Sequence, residues 1–192
     1  MIILPPHRRE RVYLTGFMGS GKSTIGPILA NTIGFDFVDL DRAIEESEGK
    51  SVTRVFQENG EQYFRGAERS MLERLSTRRN LVVSLGGGTL SDRASLATVT
   101  SSGILVYIKI STELLVKRLQ NRSDRPLLMG SDGNRLSGPD LRERIERLAR
   151  EREPLYARAD VTIEADERRV GITVDRVVRI LTPYLRRGTP GV

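Results

Sequence analysis

Gly16-Phe17-Met18-Gly19-Ser20-Gly21-Lys22-Ser23 reads G-x-x-x-x-G-K-S, and its surroundings decide the fold. The apolar run Val12-Tyr13-Leu14 precedes it, and Thr24-Ile25-Gly26-Pro27-Ile28-Leu29-Ala30 follows. A strand, a glycine loop and a helix in that order make a phosphate-binding P-loop. The glycines let successive backbone N–H groups turn inward around a polyphosphate, and the helix N-terminus adds partial positive charge. Gly19, Ser20, Gly21, Lys22, Ser23 and Thr24 are therefore the candidate nucleotide-binding residues. In such a loop the lysine reaches the β- and γ-phosphates and the serine hydroxyl coordinates Mg²⁺.

Composition narrows the chemistry. A chain of 192 residues is expected to form one domain with a real core. It has no cysteine, which excludes disulfides, thiolate nucleophiles and cysteine-based metal sites. Its one histidine, His7, lies in the leader Pro5-Pro6-His7-Arg8-Arg9, so neither a histidine triad nor a multi-histidine metal site is available. Asp, Glu, Lys, Arg and Mg²⁺ must do the work. No apolar run approaches membrane-spanning length and the N-terminus lacks a signal-peptide pattern, so a cytoplasmic protein without a membrane partner is expected. The net charge is +6, and only four of the 31 basic residues are Lys. No basic stripe interleaves with the ten aromatics, so solvated helix faces account for this charge better than a nucleic-acid surface does.

Apolar runs alternate with helical stretches along the chain. Val12–Leu14, Phe35–Leu40, Leu81–Leu85, Ile104–Ile108 and Val161–Ile163 read as strands. Helices are expected at about 23–33, 42–48, 51–59, 60–75, 112–120, 139–152 and 170–185. Repeated β–α alternation with continuous apolar strands argues for a parallel sheet covered on both faces. The first nine or so residues and 188–192 read as loose ends. One interval breaks the rhythm: Asn121 to Asp140 holds three glycines, two prolines and little periodicity, with Arg122, Arg125 and Arg135 inside it. Long structureless stretches in compact domains are commonly functional lids.

Several constellations lie outside the P-loop. Asp39 and Asp41 close the second strand at i and i+2, which would project both carboxylates from one face at a strand's C-terminal end, where ligands bind in open α/β sheets. One can serve the Mg²⁺ shell and the other a substrate hydroxyl; capping of the next helix accounts for Asp41 alone. Phe64, Glu68, Met71 and Leu75 form an inward stripe on helix 60–75, with Arg65 one turn before Glu68. Such a pair serves to orient a guanidinium toward a carboxylate ligand, or is an ordinary ion pair. Leu141, Ile145 and Leu148 stripe the helix before Pro154, and Arg152 falls on that stripe. An inward arginine near a helix end is suited to clamp a carboxylate or phosphate. Gly86-Gly87-Gly88 follows a strand directly and allows close backbone approach.

These residues together resemble the shikimate kinases, small P-loop enzymes of the nucleoside-monophosphate-kinase-like group. The resemblance runs from about Val12 to Leu185. It rests on the P-loop with Asp39-Leu40-Asp41, Gly60-Glu61-Gln62-Tyr63-Phe64-Arg65 with Glu68, Ser84-Leu85-Gly86-Gly87-Gly88, Arg125-Pro126-Leu127-Leu128, and Arg152-Glu153-Pro154-Leu155-Tyr156. It implies an α/β fold, a three-layer P-loop sandwich whose five parallel strands run in the order 2-3-1-4-5. It also implies one kinase domain over 1–192, with a core at about 10–40 and 76–118, a substrate-binding subdomain at 41–75, a lid at 119–139, and C-terminal core helices and strand at 140–186.

Residue by residue, the resemblance implies that Lys22 and Ser23 serve ATP and Mg²⁺, with Asp39 holding the metal shell through water. Asp41 binds substrate hydroxyls and helps deprotonate the attacking one. Arg65 and Arg152 pair with the shikimate carboxylate, and Gly86, Gly87 and Gly88 close that pocket. Arg125 approaches the transferring phosphate from the lid, and Arg118 stacks on adenine. Val170 departs from the pattern, because many relatives carry a proline against the adenine there. Arg122 and Arg135 receive no role. The reaction implied is transfer of the ATP γ-phosphate to the 3-hydroxyl of shikimate, with ATP and shikimate as partners and a monomer expected. A gluconate or nucleoside-monophosphate kinase is the alternative within the superfamily. A non-catalytic nucleotide-binding regulator and a nucleic-acid-associated ATPase are the alternatives from other classes.

Overall fold

A computed structural model describes residues 6–120, 128, 136–167 and 169–185. Five strands form one sheet: β1 (Arg11–Thr15), β2 (Asp36–Asp39), β3 (Leu81–Ser84), β4 (Ile104–Lys109) and β5 (Val161–Glu164). All neighbours are parallel, in the order β2-β3-β1-β4-β5, as the resemblance implies. Every residue of β1 and β3 is buried, which is why those strands read as unbroken apolar runs.

Alternate side chains feed two cores. Val12, Leu14, Val82, Val106 and Ile108 pack against Ile25 and Leu29 of α1 (Lys22–Ile33) and Val174, Val177 and Leu181 of α7 (Val170–Leu181). Tyr13, Val83, Leu105 and Tyr107 face the other way. There they meet α3 (Val52–Leu75), α4 (Arg93–Ser102), α5 (Thr112–Leu119) and α6 (Gly138–Tyr156) through Leu72, Val99, Leu115 and Ile145. The remaining helix, α2 (Leu40–Glu48), packs on α3. Among the described residues no helix is long and apolar enough to cross a membrane.

Four local expectations are corrected. β2 stops at Asp39 and α2 begins at Leu40, so Asp41 stands in the first turn of a helix rather than two residues along a strand. Asp39 is the cap, accepting from the Arg42 N–H at 3.4 Å. Helix α4 has no counterpart in the sequence reading, because only Leu96 and Val99 of its apolar residues are buried and the rest are small or polar. Helix α6 continues through Pro154 to Tyr156 instead of ending at Arg152. The leader is not loose at Pro6–Glu10, where a 3-10 turn forms and Arg8 donates to Gly103 O and Asp160.

The expected break between helices 51–59 and 60–75 is real. It is a kink within α3 at Gly60, whose φ of 81° and ψ of 172° leave the helical region. Glycine alone adopts that backbone without strain.

Candidate active site

The P-loop lies between β1 and α1. Gly16, Gly19 and Gly21 have φ of 142°, 79° and 101°, values that let the loop wrap with its amides inward. A Cβ on Gly16 would stand 2.5 Å from Ile108 O, so the loop can touch the end of β4 only as glycine. Lys22 is buried and donates from Nζ to Gly16 O at 2.7 Å and to Phe17 O at 3.2 Å. Ser23 Oγ donates to Asp39 Oδ2 at 2.8 Å, which joins the start of α1 to the end of β2. A hydroxyl and a carboxylate are hard oxygen donors of the kind Mg²⁺ prefers, and they stand beside the phosphate loop. Among the described residues no group of three or more His, Cys, Asp or Glu could hold a metal by itself. A metal here would share its coordination with phosphate and water.

A cleft of about 390 Å³ opens over this loop. Residues of the P-loop line its floor, and Asp39, Asp41, Ser84, Gly86 and Gly87 line one end. The other end is made by Arg118, Ala165, Asp166, Val170 and Thr173. Arg118 Nη1 donates to Gly19 O at 3.1 Å, which sets its guanidinium against the loop. Ser20, whose buried hydroxyl has no hydrogen-bond partner among the described residues, also lines this cleft.

Gly86, Gly87 and Gly88 gather three side chains from three separate helices. A Cβ on Gly86 would lie 2.8 Å from Asp41 Oδ1 of α2. One on Gly87 would lie 3.2 Å from Arg152 Nη1 of α6, and one on Gly88 would lie 2.9 Å from Arg65 Nη2 of α3. Asp41, Arg65 and Arg152 therefore stand around one bare turn at the end of β3. Asp41 reaches it from the helical position that the corrected boundary gives it.

The two arginines are held differently. Arg65 Nη1 donates to Glu68 Oε2 at 2.6 Å, and Nη2 to Glu61 Oε1 at 3.2 Å. Glu68 is 1% exposed, so this is a buried anchor rather than a surface pair. Burial works against the Arg65 cation, but the Glu68 and Glu61 carboxylates together outweigh it and leave the pKa above its ordinary value. Arg152 lies over the Phe17 ring at 5.7 Å, a cation–π contact that orients the guanidinium without neutralising it.

Comparison with known proteins identifies the family. A family profile described as shikimate kinase matches residues 18–182. The shikimate kinase of Chlorobium phaeobacteroides (strain BS1) is 47% identical over 176 residues, covering 92% of this chain and 88% of that one. The chain belongs to the shikimate kinase family. Among solved structures, the shikimate kinase of Acinetobacter baumannii in complex with shikimate superposes with a TM-score of 0.81 at 30% identity, covering 94% of this chain and 97% of that one. A gluconokinase of Sinorhizobium meliloti reaches a TM-score of 0.54 at 18% identity over 92% of this chain and 94% of that one, which is likeness of fold alone.

In this member of the shikimate kinase family, sequence reasoning left out the residues that hold the site in shape. Thr89 is fully buried and its Oγ1 donates to Glu68 Oε1. Its place directly after the third glycine was the available signal. Tyr156 OH donates to Gly87 O at 2.7 Å; its four-residue spacing from Arg152 puts both on one helix face. Burial raises the Tyr156 pKa more than the Arg152 guanidinium lowers it, so the phenol stays protonated as a donor. Phe17 was legible only as a filler of the P-loop. Arg125, with Arg122 and Arg135, lies outside the described residues.

Proposed function

We infer that this chain is an ATP-dependent shikimate kinase, transferring the γ-phosphate to the 3-hydroxyl of shikimate. Family membership carries the activity. The observation that carries the site is the glycine turn ringed by Asp41, Arg65 and Arg152, beside a P-loop. A small acid with several hydroxyls needs two cations for its carboxylate and an anionic acceptor for a hydroxyl proton, and that turn presents this set.

In the proposed roles, the P-loop amides, Lys22 and Thr24 bind the ATP phosphates, and Arg118 covers the adenine, with Val170 on the facing wall. Ser23 and, through water, Asp39 hold Mg²⁺, which when bound neutralises phosphate charge. Arg65 and Arg152 clamp the shikimate carboxylate while Gly86–Gly88 let the ring approach the backbone. Asp41 accepts the proton of the attacking hydroxyl. A bond forms from that oxygen to the γ-phosphorus, the bond to the β,γ-bridging oxygen breaks, and ADP leaves. Phosphoryl transfer demands in-line positioning and charge neutralisation more than strong base chemistry, so these groups suffice without histidine.

The proposal includes Arg125 approaching the transferring phosphate, residues 41–75 as the acceptor-binding unit and 119–139 as a lid. A monomeric cytoplasmic enzyme completes it. ADP release measured across an acceptor panel tests the reading. Shikimate-dependent turnover is expected; turnover only with gluconate or a nucleoside monophosphate would overturn it, and nucleic-acid-stimulated turnover without a small acceptor would favour an ATPase.

A further inference from the structure

We propose that Glu153 is a positioning residue for acceptor binding: together with Tyr107 and Lys109 it braces the last turn of α6 and thereby places Arg152. The proposal rests on the reading of Arg152 as a shikimate ligand. Arg152 stands within four residues of the end of α6, where a helix frays most easily. Pro154 lies inside that same turn and cannot donate the backbone hydrogen bond that would tighten it. The Ala157 N–H closes the turn on Glu153 O at 2.8 Å, and the bond missing at Pro154 leaves side chains to supply the rest of the hold.

The side-chain bonds supply that hold. Glu153 Oε2 accepts from Tyr107 OH at 2.7 Å, and Oε1 accepts from Lys109 Nζ at 2.7 Å. Both donors sit at the C-terminal end of β4, an inner strand of the sheet. The Tyr107 and Tyr156 rings pack at 5.1 Å between centroids, and Tyr156 OH reaches Gly87 O.

The two halves of the brace are unequal. Lys109 and Glu153 side chains are 45% and 40% exposed, so their ion pair is screened and weak. Tyr107 is buried, and truncating Glu153 would leave its hydroxyl without that acceptor at a part-buried position. Burial, followed by the Glu153 carboxylate, drives the Tyr107 pKa upward, which keeps the phenol a donor. Successive residues on a helix point about 100° apart. Fixing Glu153 toward β4 therefore fixes the rotation of the turn, and with it the direction of Arg152 toward Phe17 and Gly87. A long guanidinium side chain gains affinity from such preorganisation, because less freedom remains to be lost on binding.

Steady-state kinetics of Glu153→Ala, Tyr107→Phe, Arg152→Ala and the Glu153→Ala/Arg152→Ala double variant test this. Glu153→Ala should raise the shikimate KM about tenfold, a change on the scale of one lost hydrogen bond, with the ATP KM within about twofold. Tyr107→Phe should raise it in the same direction by about threefold. Glu153→Gln, which keeps an acceptor for Tyr107, should restore most of the loss. In the Arg152→Ala background, Glu153→Ala should add nothing further to the shikimate KM. If Arg152→Ala raises the shikimate KM but neither Glu153→Ala nor Tyr107→Phe does, the brace is overturned while the Arg152 reading survives. Equal rises in both KM values, or full additivity with Arg152→Ala, overturn it too. An Arg152→Ala variant with unchanged shikimate KM overturns the ligand reading and the brace with it. Should Glu153→Ala not fold, Tyr107→Phe keeps the ring in place and decides alone.

Discussion

Gly86 marks how little room the acceptor side leaves for any added atom. Its would-be Cβ meets Asp41 Oδ1 at 2.8 Å, Thr89 Oγ1 at 3.1 Å and Glu68 Oε1 at 3.3 Å. Only the Asp41 contact is closer than real Cβ atoms tolerate, and a carboxylate can move where backbone cannot. Gly86→Ala should therefore fold normally but displace Asp41, lowering kcat about a hundredfold, the scale of an ångström-size misplacement of a reacting group. Near-normal kcat at an unchanged melting temperature would show that Asp41 is not the proton acceptor. Lys22→Ala tests the donor side. Its turnover should fall by about a thousandfold or more while circular dichroism stays native, because the lost charge acts on phosphate rather than on the core. At this scale the sequence is informative wherever an ionic residue interrupts an apolar stripe, as Glu68 and Arg152 do, or stands a turn from one, as Arg65 does. Thr89, Tyr156 and Phe17 were less legible, since a threonine or aromatic beside a core is ordinary until its partner's position is known.

Elements were legible in proportion to their apolar periodicity. β1 and β3 are buried throughout and β4 in all but its last residue, Lys109, so they announce themselves, and Gly60 marks a break that the backbone makes as a kink. The alternation in Phe37-Val38-Asp39-Leu40-Asp41 carries the strand signal on to Asp41. The side chain of Asp39 capping α2 ends that alternation two residues early. Helix α4 is hard to read from sequence because its strongest signal is a cap, not a stripe. Asp92 Oδ2 accepts from the Ser95 N–H at 2.8 Å and from Ser95 Oγ at 2.9 Å, and Arg69 donates to its other oxygen at 2.9 Å. Burial raises the Asp92 pKa, yet these donors together hold it below the ordinary value. A carboxyl depressed in the folded state contributes stability above its unfolded pKa and loses it as pH falls through the folded one. Asp92→Ala should cost about 1 kcal/mol at neutral pH, the usual worth of an N-cap. The gap from the parent should narrow as pH drops below about 4, where the unfolded-state carboxyl protonates. Urea midpoints at the two pH values measure this, and a gap independent of pH would mean that the charge plays no part.

Across the whole molecule, chemistry and anchorage occupy opposite ends of the strands. The P-loop, Asp39 and the glycine turn all lie at C-terminal strand ends, as ligand sites in open α/β sheets do. The N-terminal ends carry structural ties instead. Arg11, opening β1, donates to Ser102 O at 2.7 Å and Arg78 O at 2.5 Å. Tyr13 OH and Ser102 Oγ lie 2.8 Å apart. Arg8 donates to Gly103 O through Nε and Nη2, at 2.8 and 2.7 Å, and to Asp160 Oδ2 at 2.5 Å. The same Asp160 oxygen accepts from the Leu105 N–H at 2.8 Å, so one carboxylate joins the leader, β4 and the residue before β5. The Arg8 and Asp160 side chains are only 14% and 17% exposed, which removes most of the screening that makes surface pairs weak. Arg8→Ala should therefore lower unfolding free energy by about 2 kcal/mol, the range for hydrogen bonds to a charged partner, with an unchanged urea m-value. Because none of these groups borders the cleft, both KM values and kcat should stay within about twofold of the parent at temperatures where the variant is folded. Gly86→Ala should show the converse, activity lost with stability kept. A large kinetic defect in folded Arg8→Ala would mean that the two ends of the sheet are coupled through β4, the strand whose far end carries Tyr107 and Lys109.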